Sequence, residues 1–109
     1  MNKKIDEIDF MKSNGIVPVI VQDANTKKIL TLAYSNKESL ELTKKTGNSW
    51  FWSRSRNKLW MKGEESGNVQ KIKEILVDCD SDALIYLVEP SGPACHTGEE
   101  TCFHNELEK

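Results

Sequence analysis

Three carboxylates alternate with a thiol and a hydroxyl in Asp78-Cys79-Asp80-Ser81-Asp82, immediately before the apolar run Ala83-Leu84-Ile85-Tyr86-Leu87-Val88. On an extended backbone side chains alternate between faces, so Asp78, Asp80 and Asp82 share one face and Cys79 takes the other. One short segment then offers oxygen ligands to a hard cation such as Mg2+ and a thiolate to a softer metal such as zinc. No core needs three acids on one face. The bland alternative is an acidic turn flanking a strand. The spacing also opens like an EF-hand calcium loop, with Glu89 at its twelfth position. Ala83 stands where that loop requires glycine, and the apolar run cannot wrap a cation, which excludes it.

The thiols carry the second signal. Cys79, Cys95 and Cys102 are separated by 16 and 7 residues, a pattern that matches no common zinc-finger spacing. Three is an odd number, so they are not a closed set of internal disulfides. In a reducing compartment clustered thiols serve as metal ligands or nucleophiles more often than as crosslinks. A structural zinc site closes with four ligands; three leave a position open for water or substrate. Separate buried or free thiols are the plainer reading. His96 follows Cys95 directly, at the rim of any such site, and an ordinary imidazole pKa near 6.5 suits proton transfer at neutrality. Taken alone, His96 reads as a surface loop residue, and His104, beside the tail, receives no role.

A third stretch runs Trp50-Phe51-Trp52-Ser53-Arg54-Ser55-Arg56 and continues through Leu59-Trp60-Met61-Lys62 to Ser66-Gly67-Asn68. Its aromatics, guanidinium groups and hydroxyls suit stacking on a base and holding phosphates. The same residues also fit a strand pair with an aromatic core face and a solvated basic face.

Elements that could position these groups follow from the hydrophobic pattern. Ile5, Ile8 and Met11 suggest a short amphipathic helix or arm, ended by Gly15. Val17, Val19 and Val21 alternate as a strand, with Pro18 at an edge or near the strand start. A turn at residues 23–27 and a returning strand at 29–34 complete a hairpin. Ser35 and Glu38 have capping-box spacing for a helix ending near Lys44 and Lys45, with Gly47 beyond. Strands are expected at 49–54, at 58–62 and at 69–80, the last with Ile75, Val77 and Cys79 on one face. Residues 83–88 read as a central strand, stopped by Pro90-Ser91-Gly92-Pro93 and followed by an ordered loop through Cys102 and a frayed tail. The expectation is an α+β domain of mainly antiparallel strands with one main helix.

Composition limits the function. The chain has 109 residues, 38% hydrophobic and 29% charged, which fits one ordinary soluble domain. A net charge of -2 argues against a general nucleic-acid binder. The N-terminus has no apolar segment of signal-peptide type, and no run approaches the ~20 apolar residues of a membrane helix. The default address is the cytosol.

Together these segments closely resemble the phosphoribosyl-AMP cyclohydrolases of histidine biosynthesis. The matching stretches begin with Val17-Pro18-Val19-Ile20-Val21-Gln22-Asp23, Thr46-Gly47 and Phe51-Trp52-Ser53-Arg54-Ser55-Arg56. Leu59-Trp60, Lys62-Gly63-Glu64, Ser66-Gly67-Asn68 and Asp78-Cys79-Asp80 follow in the family's order, the last continuing to Asp82-Ala83-Leu84. Gly92-Pro93-Ala94-Cys95-His96-Thr97-Gly98 and Cys102-Phe103 close the series. Ser35, where the family usually has methionine, and Thr101, where serine is usual, are departures that touch no expected ligand.

The resemblance implies a single cyclohydrolase domain over residues 1–109, without the pyrophosphohydrolase domain that some relatives carry. It implies a small sheet or pseudo-barrel in an intertwined homodimer, catalytic zinc on Cys79, Cys95 and Cys102 drawn from both subunits, and Mg2+ on Asp78, Asp80 and Asp82. The implied reaction is zinc-dependent hydrolysis of the adenine N1–C6 bond of 1-(5-phosphoribosyl)-AMP, with His96 moving protons. Arg54, Arg56, Lys62, Ser66 and Asn68 are the candidates for the substrate's phosphates and hydroxyls. A non-catalytic zinc module binding RNA or a protein partner is the rival, weakened by the acidic balance and the open three-thiol set. A zinc deaminase would need an H-x-E and P-C-x-x-C pattern, which is missing.

Overall fold

A computed structural model describes residues 2–109. The chain runs through two one-turn 3-10 segments, Ile5–Glu7 and Met11–Ser13, then β1 (Val17–Asp23), β2 (Ile29–Ser35), α1 (Lys37–Thr46), β3 (Trp50–Ser53), β4 (Lys58–Met61), β5 (Gln70–Val77) and β6 (Leu84–Pro90). Four strands form one sheet in the order β2-β1-β6-β5, and β3 pairs with β4 in a second. The fold is α+β, with one helix and mainly antiparallel pairing, as expected. The large sheet is mixed, because β1 and β6 run parallel while the two outer pairings are antiparallel. It has two edges, β2 and β5, and is therefore an open sheet rather than a pseudo-barrel.

Alternation explains which residues go inside. Val17, Val19 and Val21 are fully buried, and Leu84, Tyr86 and Val88 of β6 face the same side. Leu40 of α1 and Phe51 of β3 close the core from above. Phe51 lies between Trp60 and Tyr86, with ring centroids 5.0 and 5.8 Å away. Replacing such an enclosed phenylalanine by alanine costs about 3–5 kcal/mol. Pro18 sits near the strand start, where β1 pairs only with β2; pairing with β6 begins at Val19.

Among the described residues, no further element packs over the opposite face of the sheet. A row of Leu32, Ile20, Ile85 and Leu76 crosses all four strands in register. Leu32 and Leu76 are 45% and 42% exposed, unusual values for large aliphatic side chains on a sheet face.

Local chemistry corrects three boundaries. The N-cap of α1 is Asn36, whose carboxamide accepts from Ser39 N (2.8 Å) while the Ser39 hydroxyl accepts from Asn36 N (2.9 Å). Ser35 and Glu38 are therefore not the capping pair. Ser35 closes β2, and its buried hydroxyl meets Ser39. Gly47, at φ 77°, terminates the helix as expected. The N-terminal segment forms two separate 3-10 turns rather than one amphipathic helix, the second ended by Asn14 at φ 61°. Finally, β5 stops at Val77, so Cys79 is not in a strand.

No helix among the described residues is long and apolar enough to cross a membrane.

Candidate active-site cleft and metal-binding clusters

The acidic stretch is a turn between β5 and β6. Asp78 organises it: one carboxylate oxygen accepts from Asp82 N (2.9 Å) and Ala83 N (3.1 Å), and its carbonyl accepts from Ser81 N (3.2 Å). Ser81 adopts φ 63°, which breaks the extended alternation. Asp78, Asp80 and Asp82 nevertheless converge, each offering a carboxylate oxygen within 4.8 Å of the others. Turn geometry, not strand parity, brings them together.

That cluster already has a cation beside it. Lys12 Nζ lies near Asp80 and Asp82, and Lys3 reaches from the same N-terminal arm to the hydroxyl of Ser81 (2.5 Å) and the carbonyls of Asp78 and Cys79 (3.4 Å each). Asp9 N donates to Ser81 O at 2.7 Å. Hydrogen bonds to Asp82 first, and then to Asp80, raise the Lys12 pKa above the ordinary lysine value. The sequence reading missed both lysines, because more than sixty residues separate them from the acids they meet.

The other two cysteines lie on a loop after β6 that backbone hydrogen bonds hold in place. Ala94 N and Cys95 N donate to Glu100 O and Glu99 O, and Cys102 N donates to Leu30 O at 2.8 Å on the edge of β2. The Thr101 hydroxyl adds a bond to Ile29 O. The Cys95 thiol is pushed down, chiefly by the Thr97 hydroxyl 3.1 Å away and the Thr97 backbone, opposed by partial desolvation, with smaller help from Cys102 and His104. Cys102 is thus a neighbour of Cys95. Cys79 is not: the one group of three convergent metal-ligating side chains among the described residues is the aspartate trio. Within a single chain the three thiols do not form one site.

Beside this loop opens a cleft of about 650 Å³. One wall carries Arg56, Lys58, Trp60, Lys62, Ser66 and Asn68, and the other carries Pro93, Cys95, His96 and Gly98. The expected catalytic histidine, one expected zinc ligand and four of the five expected substrate residues therefore share one cavity. Arg54 is the exception. Its guanidinium lies over the Tyr34 ring, 3.8 Å from the centroid, and does not line the cleft. The turn at residues 54–57, with Asn57 at φ 57°, sends Arg54 and Arg56 to different places despite their spacing of two. Sequence reasoning missed Lys58 and Glu65 as lining residues; their signal was only the polarity of the segment.

Residues 31–104 match the family model described as phosphoribosyl-AMP cyclohydrolase. A phosphoribosyl-AMP cyclohydrolase of Nitrosopumilus maritimus is 83% identical over 107 residues, covering 98% of this chain and 99% of that protein. One from Archaeoglobus fulgidus is 61% identical over 102 residues, 94% of each chain. The histidine biosynthesis bifunctional protein HisIE of Bacillus subtilis is 60% identical over 104 residues, 95% of this chain and 49% of that one.

Proposed function

The chain belongs to the phosphoribosyl-AMP cyclohydrolase family, enzymes of histidine biosynthesis, and from that premise we propose that its cleft hydrolyses the N1–C6 bond of 1-(5-phosphoribosyl)-AMP. The observation that carries this reading is that His96 and Cys95 face the basic and hydroxyl-bearing segment Lys62–Asn68 across one cavity. A nucleotide fits that pairing: the Trp60 ring offers a stacking surface for the base, and Arg56, Lys58 and Lys62 offer charge to the two phosphate groups. Ser66 and Asn68 add hydrogen-bonding capacity.

The chemistry is addition of water to an electron-poor carbon. Phosphoribosylation at N1 withdraws electron density from C6 of the ring. Water adds at C6, the N1–C6 bond breaks, and N1 gains a proton to give the formimino aminoimidazole carboxamide product. His96, exposed at the cleft wall, takes a proton from the water and returns one to N1. Cys79, Cys95 and Cys102 would hold zinc, which when bound would supply the acidity that makes water a nucleophile near neutral pH. The donor set fits it: soft thiols, one of them with a depressed pKa. Asp78, Asp80 and Asp82 fit a hard divalent ion such as Mg2+, since their oxygens converge within 4.8 Å.

A homodimer is part of the proposal. Cys79 does not converge with Cys95 and Cys102 within one chain, which supports a three-thiol site completed by a second copy. The bare apolar row of Leu32, Ile20, Ile85 and Leu76 is a surface suited to such a copy. The reading takes the cytoplasm as its compartment, where thiols stay reduced.

The deciding experiment gives zinc-loaded protein phosphoribosyl-AMP in the presence of Mg2+ and follows the adenine ultraviolet spectrum. The expected result is loss of the purine absorption as the ring opens; an unchanged spectrum overturns the reading.

A further inference from the structure

The two walls of the cleft are joined at one tight contact, between Asn68 and Gly92. Asn68 ends the loop that carries Lys62 and Ser66, and Gly92 begins the turn that leads to Cys95 and His96. A Cβ added at Gly92 would lie 2.8 Å from Asn68 Cγ, closer than side-chain carbons approach, and closer still to Asn68 Oδ1. It would stand 3.5 Å from Asn68 Cβ, which is ordinary contact. The Asn68 carboxamide therefore occupies the space where any other residue at 92 would carry its side chain.

Backbone bonds reinforce the joint. Ser91 N donates to Val69 O (2.9 Å), Gly67 N to Gly63 O (2.8 Å), and Asn68 N to the Ser66 hydroxyl (3.1 Å). Gly63, at φ 86°, closes the same loop from beneath: a Cβ there would meet the Asn68 carbonyl carbon and Val69 N at 2.5 Å. Gly92 differs from Gly63 in one respect. It has no positive φ, so its backbone admits alanine without strain, and the atoms nearest to an added side chain all belong to Asn68.

We propose that Gly92 is a positioning residue for the reaction: its missing side chain seats Asn68 and thereby sets the distance between the phosphate-binding wall and the Cys95–His96 wall. The proposal rests on the functional reading above, which assigns those walls to substrate and to chemistry. A small error in that distance is costly, since a misplacement of about 1 Å can cost up to ~100-fold in rate.

The test is a double-mutant cycle in the zinc-loaded protein. Gly92→Ala is expected to lower kcat for phosphoribosyl-AMP on the order of tenfold, with a smaller change in KM and unchanged zinc content. In an Asn68→Ala background, which removes the two closest atoms and leaves the Cβ at 3.5 Å, the same change is expected to cost little further. An unchanged kcat, or an equal loss in both backgrounds, overturns the proposal.

Amide NMR spectra of wild type and Gly92→Ala read the joint without activity. Shifts confined to residues 91–93 overturn the proposal, and shifts reaching both Lys62–Asn68 and Cys95–Gly98 support it. Failure of the wild-type protein to turn over phosphoribosyl-AMP counts instead against the functional reading.

Discussion

The Lys12 ammonium lies 2.9 Å from the Asp82 carboxylate and 3.3 Å from that of Asp80. An ammonium at those distances repels a divalent cation drawn to the same carboxylates, so on the metal reading Lys12 competes with Mg2+. Lys12→Met is expected to bind Mg2+ roughly tenfold tighter at low ionic strength. Because both partners are substantially exposed, high salt should shrink that gain. Isothermal titration of Mg2+ into the two proteins decides it, and equal affinities would remove Lys12 from the account.

Tyr86 makes a prediction about alkaline pH. Its side chain is fully buried and its hydroxyl has no hydrogen bond of good geometry among the described residues. Burial raises its pKa, and the nearby Thr43 and Ser35 hydroxyls offset only part of that rise. Below pH ~10 tyrosine is neutral in folded and unfolded chains alike, and its contribution is intact. As pH climbs from there through the higher folded value, the unfolded chain ionises first and stability falls. Denaturant midpoints measured from neutral to strongly alkaline pH should fall more steeply for wild type than for Tyr86→Phe.

Elements set by apolar alternation were legible in the sequence; contacts set by the folded chain were not. Val17, Val19 and Val21 could be read as one face of a strand because period two and burial coincide there. The helix start was ambiguous in a specific way: Ser35 and Glu38 have the same spacing as Asn36 and Ser39, and the choice fell to Asn36 because Ser35 is consumed by β2. The aspartates were recognisable as a convergent set, yet for the wrong reason. Asp78 bonding to the Asp82 and Ala83 amides outweighs strand alternation, and no local pattern announces it. Lys12 and the separation of Arg54 from Arg56 depend on tertiary contacts and on a left-handed turn residue. The cleft itself was legible as residues, not as walls.

Those two arginines separate experimentally. Arg56 lines the cleft, so Arg56→Ala should raise KM for phosphoribosyl-AMP on the order of tenfold through loss of a charged phosphate contact. Arg54 stacks on Tyr34, a contact worth about 0.5–1 kcal/mol at exposed sites. Arg54→Ala should therefore act mainly on the denaturation midpoint. Steady-state kinetics beside urea titrations of both variants check the split, and a larger KM effect from Arg54 reverses the assignment.

His96 should affect the chemical step without affecting the metal. It lines the cleft beside Cys95 but is given no part in the thiol set. His96→Asn is expected to lower kcat by about 10²–10⁴-fold, the usual worth of a general acid-base group. Zinc content and the thermal midpoint should stay at wild-type values. If the variant loses zinc along with activity, His96 is a ligand rather than a proton carrier.

The separation of Cys79 from Cys95 and Cys102 allows the shared site to be tested by mixing defective chains. On the dimer reading, each zinc takes Cys79 from one chain and the other two thiols from its partner. Cys79→Ser and Cys95→Ser proteins should each be inactive alone, because every site lacks one ligand. In a mixed dimer one site collects both defects and the other collects none. Unfolding and refolding the two together, with zinc present, should produce mixed dimers as about half of the population. Activity should then return to about a quarter of the wild-type value, one intact site in two on half of the dimers. A site built within one chain predicts no recovery at any mixing ratio. Sedimentation of the refolded mixture distinguishes that outcome from a failure to reassemble.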